Sequence, residues 1–304
     1  MSPAVRPPGA PPRVVVVGSA NMDLVGIAAR LPQPGETVLG DDFVMGPGGK
    51  GANQAIAAAR AGGSCTFLGA IGSDAFGVTL KARLAASGVD TGHLRTSYGA
   101  SGVAVVMVDR AGENSILVSP GANSSFTSLT DAEEAVVADA DVLLCQLEIP
   151  IGTVTAAARA ARAAGTRVVL NAAPARQLPA DLLDAVDLLV VNEIEARTIL
   201  GADREPRDLL EVVPRVALTL GARGAWYGDT DGASVHIDAY RVRALDTTAA
   251  GDAFTGALAV AWGEGRDLPE AVRWAGAAGA VCVGRIGAAN SLPERADIDA
   301  LFAG

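Results

Sequence analysis

Cysteine and histidine are scarce in this chain, and their scarcity argues against several architectures at once. The 304 residues include three cysteines and two histidines. Cys65, Cys145 and Cys282 are odd in number, far apart and each set in an apolar stretch, a pattern that speaks against a disulfide frame and for buried thiols in a reducing cytoplasm. His93 and His236 make no metal cluster, so a structural zinc site is not expected. Positive charge is also short. Lys and Arg number 24 against 34 Asp and Glu, a formal net charge of −10. A field of that sign opposes nucleic acid and anionic membranes, and any phosphate must be held locally. Long apolar runs free of charge are missing too. None reaches the ~20 residues that span a bilayer, and the first residues lack the apolar block of a secretory signal. Residues 1–12, with five prolines, read instead as a disordered tail.

What is present is a chain that is 50% hydrophobic, long enough to bury a large core as one domain or as one domain with an appendage. Arg13-Val-Val-Val-Val-Gly18 is a β-branched run ending in glycine, the pattern of a buried strand. Further strands are predicted at 65–71, 142–146, 167–171, 188–191 and 216–220. Helices are predicted at 50–60, 75–87, 131–138, 151–164, 180–185, 193–200, 250–263 and 268–283. This βαβα order predicts an α/β protein with a doubly wound, mainly parallel sheet and helices on both faces. Two pieces interrupt the order, one at 24–27 with 37–44, the other at 100–108 with 114–118. Both have hairpin character, and together they predict a small separate β-sheet able to act as a lid. Residues 21–47 and 98–123 are accordingly assigned to the lid, and 13–20, 48–97 and 124–304 to the core.

The stretch Asp246-Thr-Thr-Ala-Ala-Gly-Asp-Ala-Phe254 carries the chemistry. The alternating run 239–245 before it predicts a strand, and the apolar run after it a helix. A strand feeding a helix through small residues leaves first-turn N–H groups without intrahelical partners, and with the helix dipole these favour phosphate. Asp252 at that mouth is placed to take a proton from a hydroxyl attacking phosphorus. Asp is also a favoured N-cap, so on this stretch alone the two roles stand level. A second loop, Met45-Gly-Pro-Gly-Gly-Lys-Gly-Ala-Asn-Gln-Ala55, has four glycines in six residues but is neither a Walker A loop nor a dinucleotide fingerprint, since Gly51 follows Lys50. Asn21 and Asp23 follow the first strand at its C-terminal end, where open α/β sheets bind ligands.

With these residues in view, the chain resembles the ribokinase family of sugar kinases. The motifs that carry the likeness, in order, are Gly18-Ser-Ala-Asn-Met-Asp23, Gly48-Gly-Lys-Gly-Ala-Asn-Gln54, Val191-Asn-Glu-Ile-Glu195 and Asp246-Thr-Thr-Ala-Ala-Gly-Asp252. Between them lie Gln146-Leu-Glu148, Asn171-Ala-Ala-Pro-Ala-Arg176 and Leu220-Gly-Ala-Arg-Gly224. The resemblance implies transfer of the γ-phosphoryl group of ATP to the 5-hydroxyl of ribose, Mg²⁺ on the nucleotide, K⁺ as a monovalent activator, and a homodimer formed through the lid. Position by position it implies Asp252 as general base, with an anion hole of the Ala249, Ala250, Gly251 and Asp252 amides. Asn21, Asp23, Gly49, Lys50, Gly51, Asn53 and Glu148 match the sugar site. Asn192, Glu195, Thr219, Gly221, Gly224, Gly251 and Gly276 match the nucleotide site, Asn192 and Glu195 in the motif that handles phosphate and Mg²⁺. Asp246, Thr248, Cys282, Arg285, Gly287 and Ser291 match the cation site, mainly through backbone carbonyls.

Some positions depart from the family pattern. Val191 stands where proline is usual, Gly276 where an Asn or His often faces the adenine, and 201–215 is short, which suggests a trimmed outer helix. Alternative substrates within the same family are 2-deoxyribose, a ketohexose or a nucleoside, because one hydroxyl is decided by geometry rather than by sequence. A sugar sensor without catalysis is the alternative from another class, and its mark would be a lost base or a broken anion hole.

Overall fold

Valine repeated four times at Arg13–Val17 makes β1, and the pleat sends successive side chains to opposite faces. Val14 and Val16 enter one hydrophobic cluster, Val15 and Val17 the other. That split sets the three-layer plan of the computed structural model, which describes residues 9–201 and 203–304. Most of the expected tail, residues 1–8, lies outside the described residues.

Along the chain follow β2 (Asn21–Ala28), β3 (Gly40–Gly48), α1 (Lys50–Arg60), β4 (Ser64–Gly72), α2 (Ala75–Ala86), β5 (Leu94–Ser97), β6 (Gly102–Asp109) and β7 (Asn114–Ser119). Next come α3 (Asp131–Ala138), β8 (Val142–Cys145), α4 (Ile151–Ala164), β9 (Arg167–Asn171), α5 (Ala180–Leu183), β10 (Leu188–Asn192), α6 (Glu193–Leu200) and β11 (Arg215–Thr219). The chain closes with β12 (Ala225–Asp229), β13 (Ser234–Ile237), α7 (Ala250–Gly263), α8 (Leu268–Val283) and α9 (Arg295–Ala303). The large sheet has the order β13-β12-β11-β10-β9-β8-β1-β4-β5. Its pairs are parallel except β11 with β12 and β12 with β13. Residues of α1, α7 and α8 pack on one face with Val14 and Val16, and residues of α4 on the other with Val15 and Val17.

β1 pairs with β4 on one side and β8 on the other. The strand order therefore reverses at β1, and a crevice opens beyond its C-terminal end, where doubly wound sheets take their ligands. The small sheet, order β3-β2-β6-β7, grows from that point. Asn21, the first residue of β2, pairs with Gly48 of β3 and with Gly102 of β6. The two hairpins join through the parallel pair β2–β6 into one four-stranded sheet beside the crevice.

Four elements differ from the sequence expectation. Residues 239–245 form no strand: β13 before them ends the large sheet, and Leu245 donates instead to the carbonyl of Val283. Alternation alone cannot supply a pairing edge. The helix expected at 180–185 shortens to Ala180–Leu183 behind Pro179, a single turn. β5 and α9 were not foreseen; β5 is four residues with one buried leucine, and α9 has one buried residue, Ile298, too little for a clear apolar period. Within 201–215 a 3-10 helix, Pro206–Glu211, stands where a longer outer helix was thought to be trimmed.

Candidate active site

Ala249 opens α7 in a left-handed conformation at φ 60°, and among the described residues it is the one non-glycine with positive φ. Such a backbone costs about 1–2 kcal/mol for an alanine, and strain of this kind collects at ligand-holding loops. No side chain caps the helix. The Ala250 amide turns back to the Thr247 carbonyl at 3.3 Å, and a Cβ built on Gly251 would meet nothing within 4 Å, so the helix mouth is open there.

Asp252 lies in the first turn of α7 and is 8% exposed. One turn later stands Gly256, where a Cβ would lie 2.6 Å from Cβ of Ala57 and 2.7 Å from the Gln54 carbonyl oxygen. Only a glycine lets α1 and α7 come so close. That approach brings two consecutive α1 side chains onto one carboxylate. Asn53 Nδ2 donates to Asp252 Oδ2 at 3.0 Å, and Gln54 Nε2 to Asp252 Oδ1 at 2.9 Å. Asn53 Oδ1 is buried and has no protein partner, an acceptor beside the carboxylate.

Around this pair the N-terminus of α1 gathers more charge. Glu148 Oε2 accepts from the Ser19 hydroxyl at 2.5 Å and from the Lys50 amide at 3.0 Å. Gly49, φ 89°, sits so near β2 that a Cβ would lie 2.7 Å from the Asn21 amide. Gly51 fits as closely against Ser19, its virtual Cβ 2.4 Å from the Ser19 amide. Asn21 Oδ1 accepts from Asn123 Nδ2 at 2.7 Å. Burial, then Glu148 and Asp252, push Asp23 up to about 7, with Lys50 pulling the other way. Burial lowers the proton affinity of Lys50, but Asp252, Glu148, Glu195 and Asp23 more than offset it and keep the ammonium charged. Asp252 itself is raised by burial, against the pull of Lys50, Gln54 and Asn53. Carboxylates and amides in such a ring accept and donate to vicinal hydroxyls, while the open helix mouth suits an anion.

Residues 11–295 match the family described as pfkB family carbohydrate kinase. Ribokinase of Haemophilus influenzae is 39% identical over 93% of this chain and 95% of its own length. Ribokinase of Schizosaccharomyces pombe is 38% identical over 95% and 97%. The structure of Arabidopsis thaliana ribokinase complexed with ribose and ATP superposes with a TM-score of 0.90 at 33% identity, covering 97% of this chain and 99% of that one. The chain belongs to the pfkB family of carbohydrate kinases.

In this pfkB kinase the expected nucleotide residues stand at the end of β10 and in α6, at and after the end of β11, at the mouth of α7 and on α8. Asn192 and Glu195 form a reciprocal cap on α6: Asn192 Oδ1 accepts from the Glu195 amide at 2.9 Å, and Glu195 Oε2 from the Asn192 amide at 2.8 Å. Burial raises Glu195, against its bond from Asn192 and the charge of Lys50. Thr219 donates its hydroxyl to the Val191 carbonyl, and Gly221 and Gly224 both take positive φ in the turn after β11. At Gly224 a side chain has no room, because a Cβ would lie 2.0 Å from the Ile237 carbonyl oxygen. Gly276 faces Tyr240, 3.8 Å from its virtual Cβ, one helical turn from Gly279, which packs on the Ala250 carbonyl.

Of the expected cation residues, Thr248 and Gly287 meet Asp246, while Cys282 and Ser291 meet each other beside Thr248. Asp246 Oδ1 accepts from the Thr248 amide and its Oδ2 from the Gly287 amide, each at 2.9 Å. Burial would raise this carboxylate, but those bonds outweigh it and hold it low and ionised. Cys282 Sγ lies 3.0 Å from Ser291 Oγ and 3.6 Å from the Thr248 carbonyl oxygen. The Arg285 guanidinium pairs with Asp297 at 2.9 Å, and its amide donates to the Cys282 carbonyl at 3.0 Å. An ionised carboxylate among loop carbonyls suits a hard monovalent ion. Among the described residues, no group of three or more His, Cys, Asp or Glu side chains is gathered to hold a metal.

Gln54, Asn123 and Gly256 belong to the site and were not singled out from the sequence. Gln54 closes the Gly48–Gln54 motif, which by itself implies no role for it. The other two carry no local signal, since an asparagine in a turn and a glycine in a helix are read as turn and packing residues.

Proposed function

We propose that this chain is an ATP-dependent ribokinase, transferring the γ-phosphoryl group of ATP to the 5-hydroxyl of D-ribose with Asp252 as general base. The observation that carries the reading is the Asp252 carboxylate, buried at an uncapped helix mouth, both oxygens fixed by amides, with the unpartnered Asn53 acceptor beside it. The ring of Asn21, Asp23, Lys50, Asn53 and Glu148 binds the sugar hydroxyls. As the 5-oxygen bonds to phosphorus and the bond to the ADP oxygen breaks, the hydroxyl proton passes to Asp252. Charge gathers on the equatorial phosphoryl oxygens, which the amides of Ala249 to Asp252 would stabilise once that of Ala250 leaves the Thr247 carbonyl.

Mg²⁺ would come with the ATP phosphates and neutralise their charge, with Asn192 and Glu195 nearest and water completing its shell. K⁺ would be held by the Asp246 carboxylate and loop carbonyls of Thr248, Cys282, Arg285, Gly287 and Ser291, fixing the loop that carries the anion hole. Three buried free thiols, Cys65, Cys145 and Cys282, fit a reducing compartment, and we place the enzyme in the cytoplasm.

The lid supports a homodimer. Paired rows place Met45, Leu24, Val105 and Leu117 side by side, with Phe43 and Met107 two residues along on the same face. Phe43, Met45 and Leu117 are more than half exposed, and a second copy of the lid would cover them. Leu117→Glu is expected to give a monomer by sedimentation velocity; an unchanged species would exclude this face as the contact. Rates on ribose, 2-deoxyribose, fructose and adenosine, followed as ADP release, test the substrate. Ribose is expected to have the highest kcat/KM, and preference for any of the others reassigns it. Ribose binding without ADP release would make the chain a sensor.

A further inference from the structure

Gln54 makes more side-chain hydrogen bonds at the centre of the site than any role in sugar binding requires. It is fully buried, and both its hydrogen-bonding groups are committed. Its Nε2 donates to Asp252 Oδ1 and to Asn171 Oδ1, each at 2.9 Å. Its Oε1 accepts from Gln146 Nε2 at 2.5 Å. Asn171 in turn donates to the Val190 carbonyl at 3.2 Å, and Gln146 Oε1 packs where a Cβ on Gly18 would stand 2.2 Å away. Gln146 and Gln54 thus form a directed line ending on one carboxylate oxygen, and Asn171 accepts a branch from the same Gln54 nitrogen.

The direction has a chemical consequence. An amide N–H can only donate, so it stabilises the ionised form of Asp252 more than the protonated form, whose remaining carbonyl oxygen is the weaker acceptor. Were Gln54 to flip, its carbonyl would face the carboxylate and repel it. Gln146 opposes that flip by giving the carbonyl a donor, and Asn171 opposes it by giving the amino group a second acceptor. The other Asp252 oxygen is held by Asn53, which also offers a buried acceptor to the site. The two consecutive residues therefore divide the work: Asn53 faces substrate and Gln54 faces the scaffold.

We propose that Gln54, locked by Gln146 and Asn171, is a positioning residue that keeps the Asp252 carboxylate ionised and aimed at the attacking hydroxyl. The proposal rests on Asp252 being the base. The charged and titratable groups facing that carboxylate are Lys50 on α1, Asp23 on β2, Glu148 after β8, Glu195 on α6 and Cys282 on α8. Lys50 works with Gln54 by favouring the anion, whereas burial and the three carboxylates work against it.

The test is the pH profile of kcat/KM for Gln54→Met, Gln146→Met and Asp252→Asn beside the unaltered enzyme. Gln54→Met is expected to lower kcat by about 10–100-fold, the fold-change of one hydrogen bond to a charged group, while KM for the sugar stays within about 2-fold. Its acidic limb is expected to move to higher pH by about one unit. Gln146→Met frees Gln54 to flip and shifts the limb the same way by less. An unmoved limb in Gln54→Met overturns the proposal, whether kcat is unchanged or lowered, because a merely structural role changes amount or turnover without changing the proton affinity of the base. Should Gln54→Met fail to fold, the limb of Gln146→Met decides alone, and an unmoved limb there is equally fatal. Full turnover by Asp252→Asn would instead remove the base assignment itself, so the two failures are separable.

Discussion

Asp246 and Asp252 stand at the two ends of one seven-residue stretch that runs from a loop into α7, and their surroundings push them in opposite directions. Asp246 is met by two backbone amides, one from its own turn and one from Gly287, and is held below the ordinary carboxylate range despite partial burial. Asp252 is met by two side-chain amides from α1, is far more buried, and is held above that range. Backbone donors came with the loop and cannot be rotated away; side-chain donors arrived only because Gly256 admits α1 against α7. The first arrangement makes a permanent anion, suited to tying two loops together or to holding a cation. At the second, burial raises the proton affinity of the carboxylate and the side-chain donors of α1 pull it back, an opposition that suits a group meant to take and release a proton. In the proposed reaction one residue type would serve as a fixed charge at one end of the stretch and as a proton acceptor at the other.

The contrast breaks most sharply at Asp252. Asp252→Asn keeps the shape and removes the base, and kcat is expected to fall by about 10²–10⁴-fold with little change in ribose affinity measured by calorimetry. Turnover near that of the unaltered enzyme would mean that the two carboxylates do not differ in kind. Asp246→Asn should act more mildly. Its amide nitrogen cannot accept the N–H of Thr248 or Gly287, so one bond to a charged group is lost and kcat drops about 10-fold. The loss should come with a weaker response to K⁺ in steady-state assays. If K⁺ activation is untouched, Asp246 is an anchor of the loop and not a ligand.

Much of the frame was legible because it rests on local signals. Four valines before Gly18 and the apolar runs of β8 to β10 mark strands within a few residues of where they lie. The false strand at 239–245 shows the limit: alternation is a property of the segment, and pairing is a property of the neighbour. At the site, Asp252, Asn53, Lys50 and Glu148 could be picked out by the company of glycines and by resemblance. Gln54 could not be given a role in the same way. Its bond to Asp252 spans 198 residues, and its burial depends on Gly256, whose importance appears only once two helices are laid together. Asn123, which fixes Asn21 across 102 residues, was hidden for the same reason.

Asp23 offers the mildest test of the comparison, since it has burial and acidic neighbours but no amide clamp of the kind that holds Asp252. Its folded pKa of about 7 lies above the ordinary Asp value near 3.8. The folded protein therefore binds a proton across this interval that the unfolded chain does not, and stability is lost as pH rises from about 4 to about 7. In the absence of sugar, Asp23→Asn should remove that slope. The melting temperatures of the two proteins should agree near pH 4 and separate as pH rises, the variant being the more stable at pH 8, with about 2–4 °C for each 1 kcal/mol relieved. Ribose should reverse the order for the unaltered enzyme, because its hydroxyls give the ionised carboxylate the donors it lacks. Parallel melting curves across the whole range would show that Asp23 is not under this strain, and the distinction between clamped and unclamped carboxylates would then rest on the 246–252 stretch alone.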